Sequence, residues 1–126
     1  MRYVEQGINK DLVDFIRFLV TDLFMLTLYE SLKRNENINV NALYFENKSY
    51  TFKEVVKNVE KMVTYLQNKG IKENDVVTVV LPNVPVTIYL FYALNAIGAI
   101  QNIVHPLTPA KQIIKTIIAT NCSFYY

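Results

Sequence analysis

The chain has 126 residues, with 13 Lys and Arg against 11 Asp and Glu. Its length predicts one domain, and 52% hydrophobic side chains with only three Gly and four Pro predict a packed core and exclude disordered and collagen-like chains. The net charge of +2 and the scattered lysines are too weak a signal to select nucleic acid or an anionic membrane, so we expect no nucleic-acid partner.

The sequence does not have the pattern of a secretory signal peptide. Cys122 is the single cysteine and forms no internal disulfide, and acidic residues interrupt the first twenty positions, where a signal peptide would be apolar. Residues 76–110 carry no Lys, Arg, Asp or Glu, but Pro82, Pro85 and several polar residues divide this stretch into pieces too short to span a membrane. We therefore expect a cytoplasmic protein without an integral membrane segment.

Helical periodicity runs through the segment from Lys10 to Arg34. Its apolar face comprises Leu12, Phe15, Ile16, Leu19, Leu23 and Leu26. Thr27 and Glu30 have the spacing of a capping box, so we predict two helices that divide at about Thr27. The asparagine-rich residues Asn35 to Asn41 predict a loop.

A hairpin and a long helix are predicted next. Ala42 to Phe45 and Ser49 to Thr51 flank a polar turn, as expected of a short antiparallel hairpin. Thr51 and Glu54 form a second capping box, and apolar residues recur behind it at helical spacing as far as Gly70, which is a predicted C-cap.

Strands then alternate with helices. The run from Val76 to Leu81 is β-branched and does not alternate, which predicts a strand buried on both faces, and Asp75 before it is expected to tighten a turn. Pro85 suits the first turn of a helix that ends at Gly98, and Ala99 to Val104 is predicted as a second buried strand.

The last predicted helix has Thr108 as N-cap and Pro109 as its first residue, and it runs through Ile118 before a third strand at Ser123 to Tyr126. The alternation predicts an α/β fold, a layered sheet of mainly parallel strands with flanking helices. N-terminal helices and a small β-hairpin precede this sheet.

Two polar residues follow predicted parallel strands, where ligands enter open α/β sheets. His105 stands after the second strand, although a His-Pro pair there is also typical of a turn. Asn83 stands after the first strand, where Asn is also a good helix N-cap. We retain His105 and Asn83 as substrate-binding candidates beside these structural interpretations.

No catalytic or metal site is predicted. Gly7, Gly70 and Gly98 are too far apart for a phosphate-binding loop, and the dispersed carboxylates with one His and one Cys lack metal-ligand spacing. Cys122 has no local signature of a nucleophile, so we interpret it as a small core residue.

Four segments together carry a family resemblance. They are TLYESL from Thr27, ALYFENKSYTFKEV from Ala42, LQNKGIKENDVVTVVLPNVP from Leu66 and YALNAIGAIQNIVHPLTP from Tyr92. In this order and spacing the chain resembles the N-terminal part of the adenylate-forming enzymes, the acyl-CoA synthetase and AMP-binding superfamily, and most of all bacterial fatty-acyl-CoA synthetases. Asn74 departs from the pattern, since the family usually has Gly before this Asp.

The resemblance implies an incomplete N-terminal subdomain of the acyl-CoA synthetase fold. Residues 1–126 would be a single N-terminal fragment of the large domain, with a helical lead-in over 1–41 and the hairpin and α/β unit over 42–126. The full-length enzyme would convert a fatty acid through an acyl-adenylate to acyl-CoA, using ATP, Mg²⁺ and CoA. The family's ATP loop and catalytic motifs are missing here, so we expect no cofactor and no activity of the fragment alone, and the remainder of the enzyme as its partner.

Two alternatives remain open at this point. The chain could be a short non-catalytic α/β module that forms homo-oligomers through its sheet edge and the apolar face between Leu12 and Leu26. It could also be a small-molecule binder that uses His105 and Asn83.

Overall fold

The computed structural model describes residues 11–12 and 27–126. The described helices are α1 (Leu28–Arg34), α2 (Phe52–Asn68), α3 (Pro85–Ile97) and α4 (Ala110–Ala119). The strands are β1 (Asn41–Phe45), β2 (Lys48–Thr51), β3 (Val76–Val79), β4 (Ile100–Ile103) and β5 (Phe124–Tyr125). From Thr27 onward this order agrees with the predicted one. The first predicted helix, with its apolar face, lies outside the described residues except at Asp11 and Leu12.

The hairpin and α2 form as predicted. Strands β1 and β2 pair antiparallel, with Phe45 opposite Lys48. The side chain of Thr51 accepts a hydrogen bond from the Glu54 backbone N–H at 3.2 Å, and the Glu54 carboxylate accepts one from the Thr51 N–H at 2.7 Å. This complete capping box fixes the first turn of α2, because it satisfies two backbone donors that have no partner within the helix.

The end of α2 is also set by local chemistry. Gly70 has a φ of +92°, which an L side chain rarely adopts. Its N–H donates to the Gln67 carbonyl at 3.0 Å, and the Ile71 N–H donates to the Leu66 carbonyl at 3.1 Å. These two bonds form a Schellman motif, and the buried side chains of Leu66 and Ile71 supply its usual hydrophobic contact.

The main sheet has three parallel strands in the order β4-β3-β5. Its central strand is buried on both faces as predicted, with Val77 and Thr78 0% exposed and Val79 3% exposed. The prediction that β4 is a second buried strand is wrong, because β4 lies at the sheet edge and Ile100 and Ile103 are 52% and 61% exposed.

The two faces of β3 have different environments. Val77 and Val79 belong to a hydrophobic core that also contains buried residues of α2 and α3, and Phe124 of the neighbouring β5 packs against it. Thr78 lies on the opposite face, where its hydroxyl contacts Cys122 and Asn102. The crossover through α4 returns the chain past β3 to β5, so the strand order is that of a doubly wound sheet.

Two predicted caps are wrong by one residue. The N-cap of α3 is Val84 rather than Asn83, with Pro85 as the first helical residue. The N-cap of α4 is Pro109 rather than Thr108, because the Thr108 N–H donates to the His105 carbonyl at 2.9 Å in the preceding turn. The predicted end of α3 is confirmed, since Gly98 has a φ of +83°.

None of the helices in the described part of the chain is long and apolar enough to cross a membrane.

Candidate functional site

A cleft of about 490 Å³ opens beside the carboxyl ends of β3 and β4. The hairpin, the first turn of α2 and one face of α3 form its walls. Its lining residues are Leu32, Ala42, Leu43, Phe52, Val55, Val79, Asn83, Thr87, Ile88, Phe91, Tyr92, Gln101 and Ile103. We call it the β3 cleft. Its volume and mostly apolar walls are in the range of small-molecule sites.

Three side chains with an amide or an aliphatic hydroxyl line the β3 cleft. Gln101 donates from Nε2 to the Phe91 carbonyl at 2.7 Å, and Thr87 donates from Oγ1 to the Pro82 carbonyl at 2.6 Å. Both of these donors are therefore bound to backbone. Asn83 is exposed and hydrogen bonded to no other described residue, so its amide can both donate to and accept from a ligand.

His105 lies outside the β3 cleft, in the turn that follows β4. Its Nδ1 accepts a hydrogen bond from the Leu107 N–H at 3.1 Å, and its carbonyl accepts the Thr108 N–H. The turn interpretation of this residue is therefore correct, while a role in binding stays a prediction.

Topology separates the two candidates. In doubly wound sheets the ligand crevice lies at the carboxyl ends of the strands, where successive crossovers leave in opposite directions. Here the crossovers diverge from β3 toward β4 on one side and β5 on the other. Asn83 lies in the loop that leaves the central strand, whereas His105 follows the edge strand.

Of Asn83, Thr87 and Gln101, which line the β3 cleft, the sequence pointed only to Asn83, and a role of Asn83 in binding stays a prediction. Gln101 could have been noticed from the sequence, since it and Asn102 are polar residues between the two isoleucines of a short strand. Thr87 carried no such signal, because its hydroxyl interacts with the backbone five residues earlier in a loop whose path the sequence does not fix.

Charged groups with shifted pKa values lie away from the cleft, where α1 meets α2. A hydrogen bond from Lys33 lowers the pKa of the Glu60 carboxyl, and the same bond raises the pKa of Lys33. Tyr29 also donates to Glu60 Oε1 at 3.1 Å. Burial, followed by that hydrogen bond, raises the pKa of Tyr29. This network ties two helices together at the surface.

The described residues do not fit Mg²⁺ or nucleotide phosphates. No Lys, Arg, Asp or Glu lines the β3 cleft, and residues 11–12 and 27–126 contain no group of three His, Cys, Asp or Glu side chains able to hold a metal ion.

Cys122 is half-buried, and its Sγ donates to the Phe124 carbonyl at 2.6 Å and accepts from Thr78 at 3.1 Å. These contacts are those of a structural residue.

Comparison with known sequences gives matches over most of the chain. A family model described as "AMP-binding enzyme" matches residues 30–126. Acetyl-coenzyme A synthetase 2 of Kluyveromyces lactis is 30% identical over 77 residues, which cover 61% of this chain and 11% of that protein. 4-Coumarate–CoA ligase 2 of Nicotiana tabacum is 30% identical over 66 residues, which cover 52% of this chain and 12% of that protein. The chain spans about a tenth of the length of these relatives.

Solved structures share the fold. The N-terminal subdomain of NpsA from Klebsiella oxytoca matches with a TM-score of 0.74 and 20% identity, covering 79% of this chain and 26% of that one. VinN matches with a TM-score of 0.74 and 18% identity, covering 79% of this chain and 27% of that one. The predicted α/β subdomain architecture is confirmed by these similarities.

Proposed function

The chain belongs to the AMP-binding enzyme family, and on that premise we propose that it forms the N-terminal part of a carboxylic acid–CoA ligase. Such an enzyme joins an acid to CoA in two steps, through an acyl-adenylate that carries AMP as leaving group. The observation that carries the proposal is the family match over residues 30–126. ATP, Mg²⁺ and CoA would bind to residues that this chain does not contain.

The described residues contribute scaffold in this proposal. The buried central strand β3 and its packing against α2 and α3 hold the loop after β3 at the carboxyl edge of the sheet. Residues 1–126 would act as one unit, with residues 1–41 as a lead-in to the hairpin and α/β unit. The remainder of the same enzyme would be its partner, and we propose the cytoplasm, which supplies ATP and CoA, as its location.

Asn83 and His105 are the proposed substrate-contacting residues. Asn83 offers an exposed amide at the mouth of the β3 cleft. His105 is exposed as well, and with Nδ1 accepting the Leu107 N–H its Nε2 side is left to face a ligand. Neither residue performs bond-making chemistry in this proposal.

A fatty acid is the acid that the sequence resemblance suggests. The curated relatives with 30% identity carry the names of an acetyl-coenzyme A synthetase and a 4-coumarate–CoA ligase. Because of these names, acetate and 4-coumarate should be tested as substrates beside a fatty acid.

Two measurements test the ligase proposal. Sequencing the coding region beyond the Tyr126 codon should reveal a continuing frame that encodes a Ser/Thr/Gly-rich ATP loop. The full product should then exchange pyrophosphate into ATP in the presence of acetate, 4-coumarate or a fatty acid, whereas the 126-residue chain should not. A stop codon directly after Tyr126, or robust exchange by the short chain, would contradict the proposal.

Exposed apolar side chains favour a second candidate function, self-association of the chain. On α4, Ile114 and Ile118 are 56% and 73% exposed, and Leu107 before it is 85% exposed. An Ile114→Asp, Ile118→Asp variant should be monomeric in light scattering if the unaltered chain forms homo-oligomers through this helix. A strictly monomeric unaltered chain at high concentration would remove this candidate.

A further inference from the structure

Three lysines lie along the outward side of α2. Lys53, Lys57 and Lys61 are all exposed and spaced four residues apart. With a rise of 1.5 Å per residue, they extend over about 12 Å of one helix. We call these three residues the lysine stripe. The opposite side of α2 carries the buried residues Val55, Val56, Val59 and Leu66, so the stripe faces solvent.

The positive charge of the stripe is not neutralised by ion pairs within the described residues. Both ion pairs found there involve Lys33, with Glu36 and Glu60 as partners. The two glutamates that belong to α2 itself have other hydrogen-bond partners. Glu54 caps α2 through the Thr51 N–H, and Glu60 is bound by Lys33 and Tyr29.

The remaining surface of this helix side is polar and extends the stripe toward its C-terminal end. Thr64 and Asn68 lie on the same side and are exposed and uncharged. Tyr65 is 48% exposed, and the ammonium group of Lys69 lies 5.5 Å from the centre of its ring. Burial and then the contact with Tyr65 raise the pKa of Tyr126, so the Tyr65 phenol lies against Tyr126 at the end of the main sheet and is not part of the stripe.

The choice of cation points to a diffuse anionic surface. Lysine is a mobile, strongly hydrated point charge, whereas the planar fork of arginine suits a fixed phosphate or base. The stripe contains no arginine and no interleaved aromatic residues on which bases could stack. We infer that the lysine stripe docks this protein onto an anionic lipid bilayer as a peripheral protein. This inference is independent of the proposed ligase function.

Vesicle sedimentation tests the inference with the 126-residue chain. The protein should sediment with vesicles of phosphatidylcholine and phosphatidylglycerol in equal amounts, and not with pure phosphatidylcholine. Each Lys→Gln change in the stripe should weaken binding about fivefold, and K53Q/K57Q/K61Q about a hundredfold. Binding by the unaltered chain should also weaken as salt is added.

A matched control separates the stripe from net charge. The variant K72Q/K111Q/K115Q loses the same number of charges at other exposed lysines and should keep its binding within about fivefold of the unaltered chain. Thermal unfolding of both variants should match the unaltered chain, which shows that loss of binding is not loss of fold. Equal losses in the two triple variants would overturn the inference. Equal binding to both kinds of vesicle, or tighter binding to a single-stranded oligonucleotide than to anionic vesicles, would overturn it as well.

Discussion

The side-chain oxygen of Asn95 in α3 accepts a hydrogen bond from the backbone N–H of Tyr29 at 3.1 Å, across 66 residues of sequence. Tyr29 lies in the first turn of α1, where backbone donors have no partner within the helix. Thr27 satisfies the Glu30 N–H at 3.1 Å, and Asn95 satisfies the Tyr29 N–H. A residue of α3 therefore helps to cap α1 and joins the two helices.

Replacing Asn95 should test this cap. Asn95→Ala leaves the Tyr29 N–H without its acceptor and should lower the free energy of unfolding by about 1 kcal/mol. Asn95→Asp keeps an acceptor oxygen. Its negative charge is favourable at the N-terminus of α1 and unfavourable in the last turn of α3, so it should cost less than Asn95→Ala at neutral pH. Urea unfolding measures both effects.

The control for this cap is Gln67→Ala, an exposed substitution in α2 that should change stability by no more than about 0.5 kcal/mol. An Asn95→Ala variant whose stability stays within about 0.5 kcal/mol of the unaltered chain would show that the acceptor bond contributes nothing.

A second polar connection crosses the main sheet at Thr78. Asn102 of β4 donates from Nδ2 to Thr78 Oγ1 at 3.3 Å, and this hydroxyl donates to Cys122 Sγ at 3.1 Å. Thr78 is 0% exposed. Thr78→Val keeps the shape of the side chain but leaves the Asn102 amide without its acceptor, so unfolding should become easier by about 1–3 kcal/mol.

Thr78→Ser is the matched change, because it keeps the hydroxyl and removes one methyl group. It should cost about 1 kcal/mol. In a double-mutant cycle, Thr78→Val and Asn102→Ala should couple by at least about 0.5 kcal/mol. Simple additivity of the two changes would show that the Asn102 bond contributes nothing to stability.

The two glycines with positive φ offer a matched comparison. Gly98 and Gly70 have φ values of +83° and +92°, so alanine at either position should cost about 1–2 kcal/mol from backbone strain. A Cβ at Gly98 would also lie 3.0 Å from Glu73 Cγ, whereas one at Gly70 would have no atom within 4 Å. Gly98→Ala should therefore be the more destabilising of the two in urea unfolding.

Removing Glu73 provides the control for that comparison. In a Glu73→Ala background the difference between Gly98→Ala and Gly70→Ala should disappear, because only the side-chain contact distinguishes the two sites. A difference that persists would locate the extra cost in the backbone around Gly98.

Much of this fold is predictable where short-range chemistry decides it. The Thr51 and Glu54 spacing defines the start of α2, Gly98 defines the end of α3, and the β-branched run at Val76 identifies a buried strand. Asp75 also acts as predicted, with its carboxylate accepting the Lys72 N–H at 2.9 Å. For the caps and the turn, residues within about four positions of one another supply the interaction, and for the strand the residue types themselves favour burial.

Features that depend on distant parts of the chain were not predictable in the same way. The exposure of β4 follows from its place at the sheet edge, which depends on strand order and not on its own residues. In the sequence, Asn95 is only one polar position on a helix face. Its role as a cap depends on the packing of α1 against α3. At the candidate site, the strand-end position gave Asn83, while Gln101 enters the cleft only through the pairing of β4 with β3.

The lysine stripe could not be predicted, for a different reason. Lys53, Lys57 and Lys61 are scattered when counted along the sequence, and net charge averages them with distant carboxylates. The helical repeat brings them onto one side of α2, since residues four apart are surface neighbours.

The last prediction concerns the ion pair between α1 and α2. Lys33 lowers the pKa of Glu60 below its usual value of 4.5, so Glu60 stabilises the fold above about pH 4.5 and loses this effect as pH falls through its lowered folded pKa. Glu60 raises the pKa of Lys33 above 10.5. Lys33 therefore stabilises the fold below about pH 10.5 and loses this effect as pH rises through its raised folded pKa.

This pH dependence has an acid limb, which Glu60 sets, and a basic limb, which Lys33 sets, and Glu60→Gln should remove both. The difference in the free energy of unfolding between the variant and the unaltered chain should be constant in the neutral range. It should vanish in strong acid and in strong base. The effect should be small and weaken with salt, because both side chains are largely in solvent. Tyr29→Phe should keep the basic limb set by Lys33. Glu73→Gln should leave both limbs in place, because it removes an exposed carboxylate that has no ion pair among the described residues. Thermal unfolding across the pH range measures these differences. A Glu60→Gln profile that retains the acid limb of the unaltered chain would assign that limb to other carboxylates.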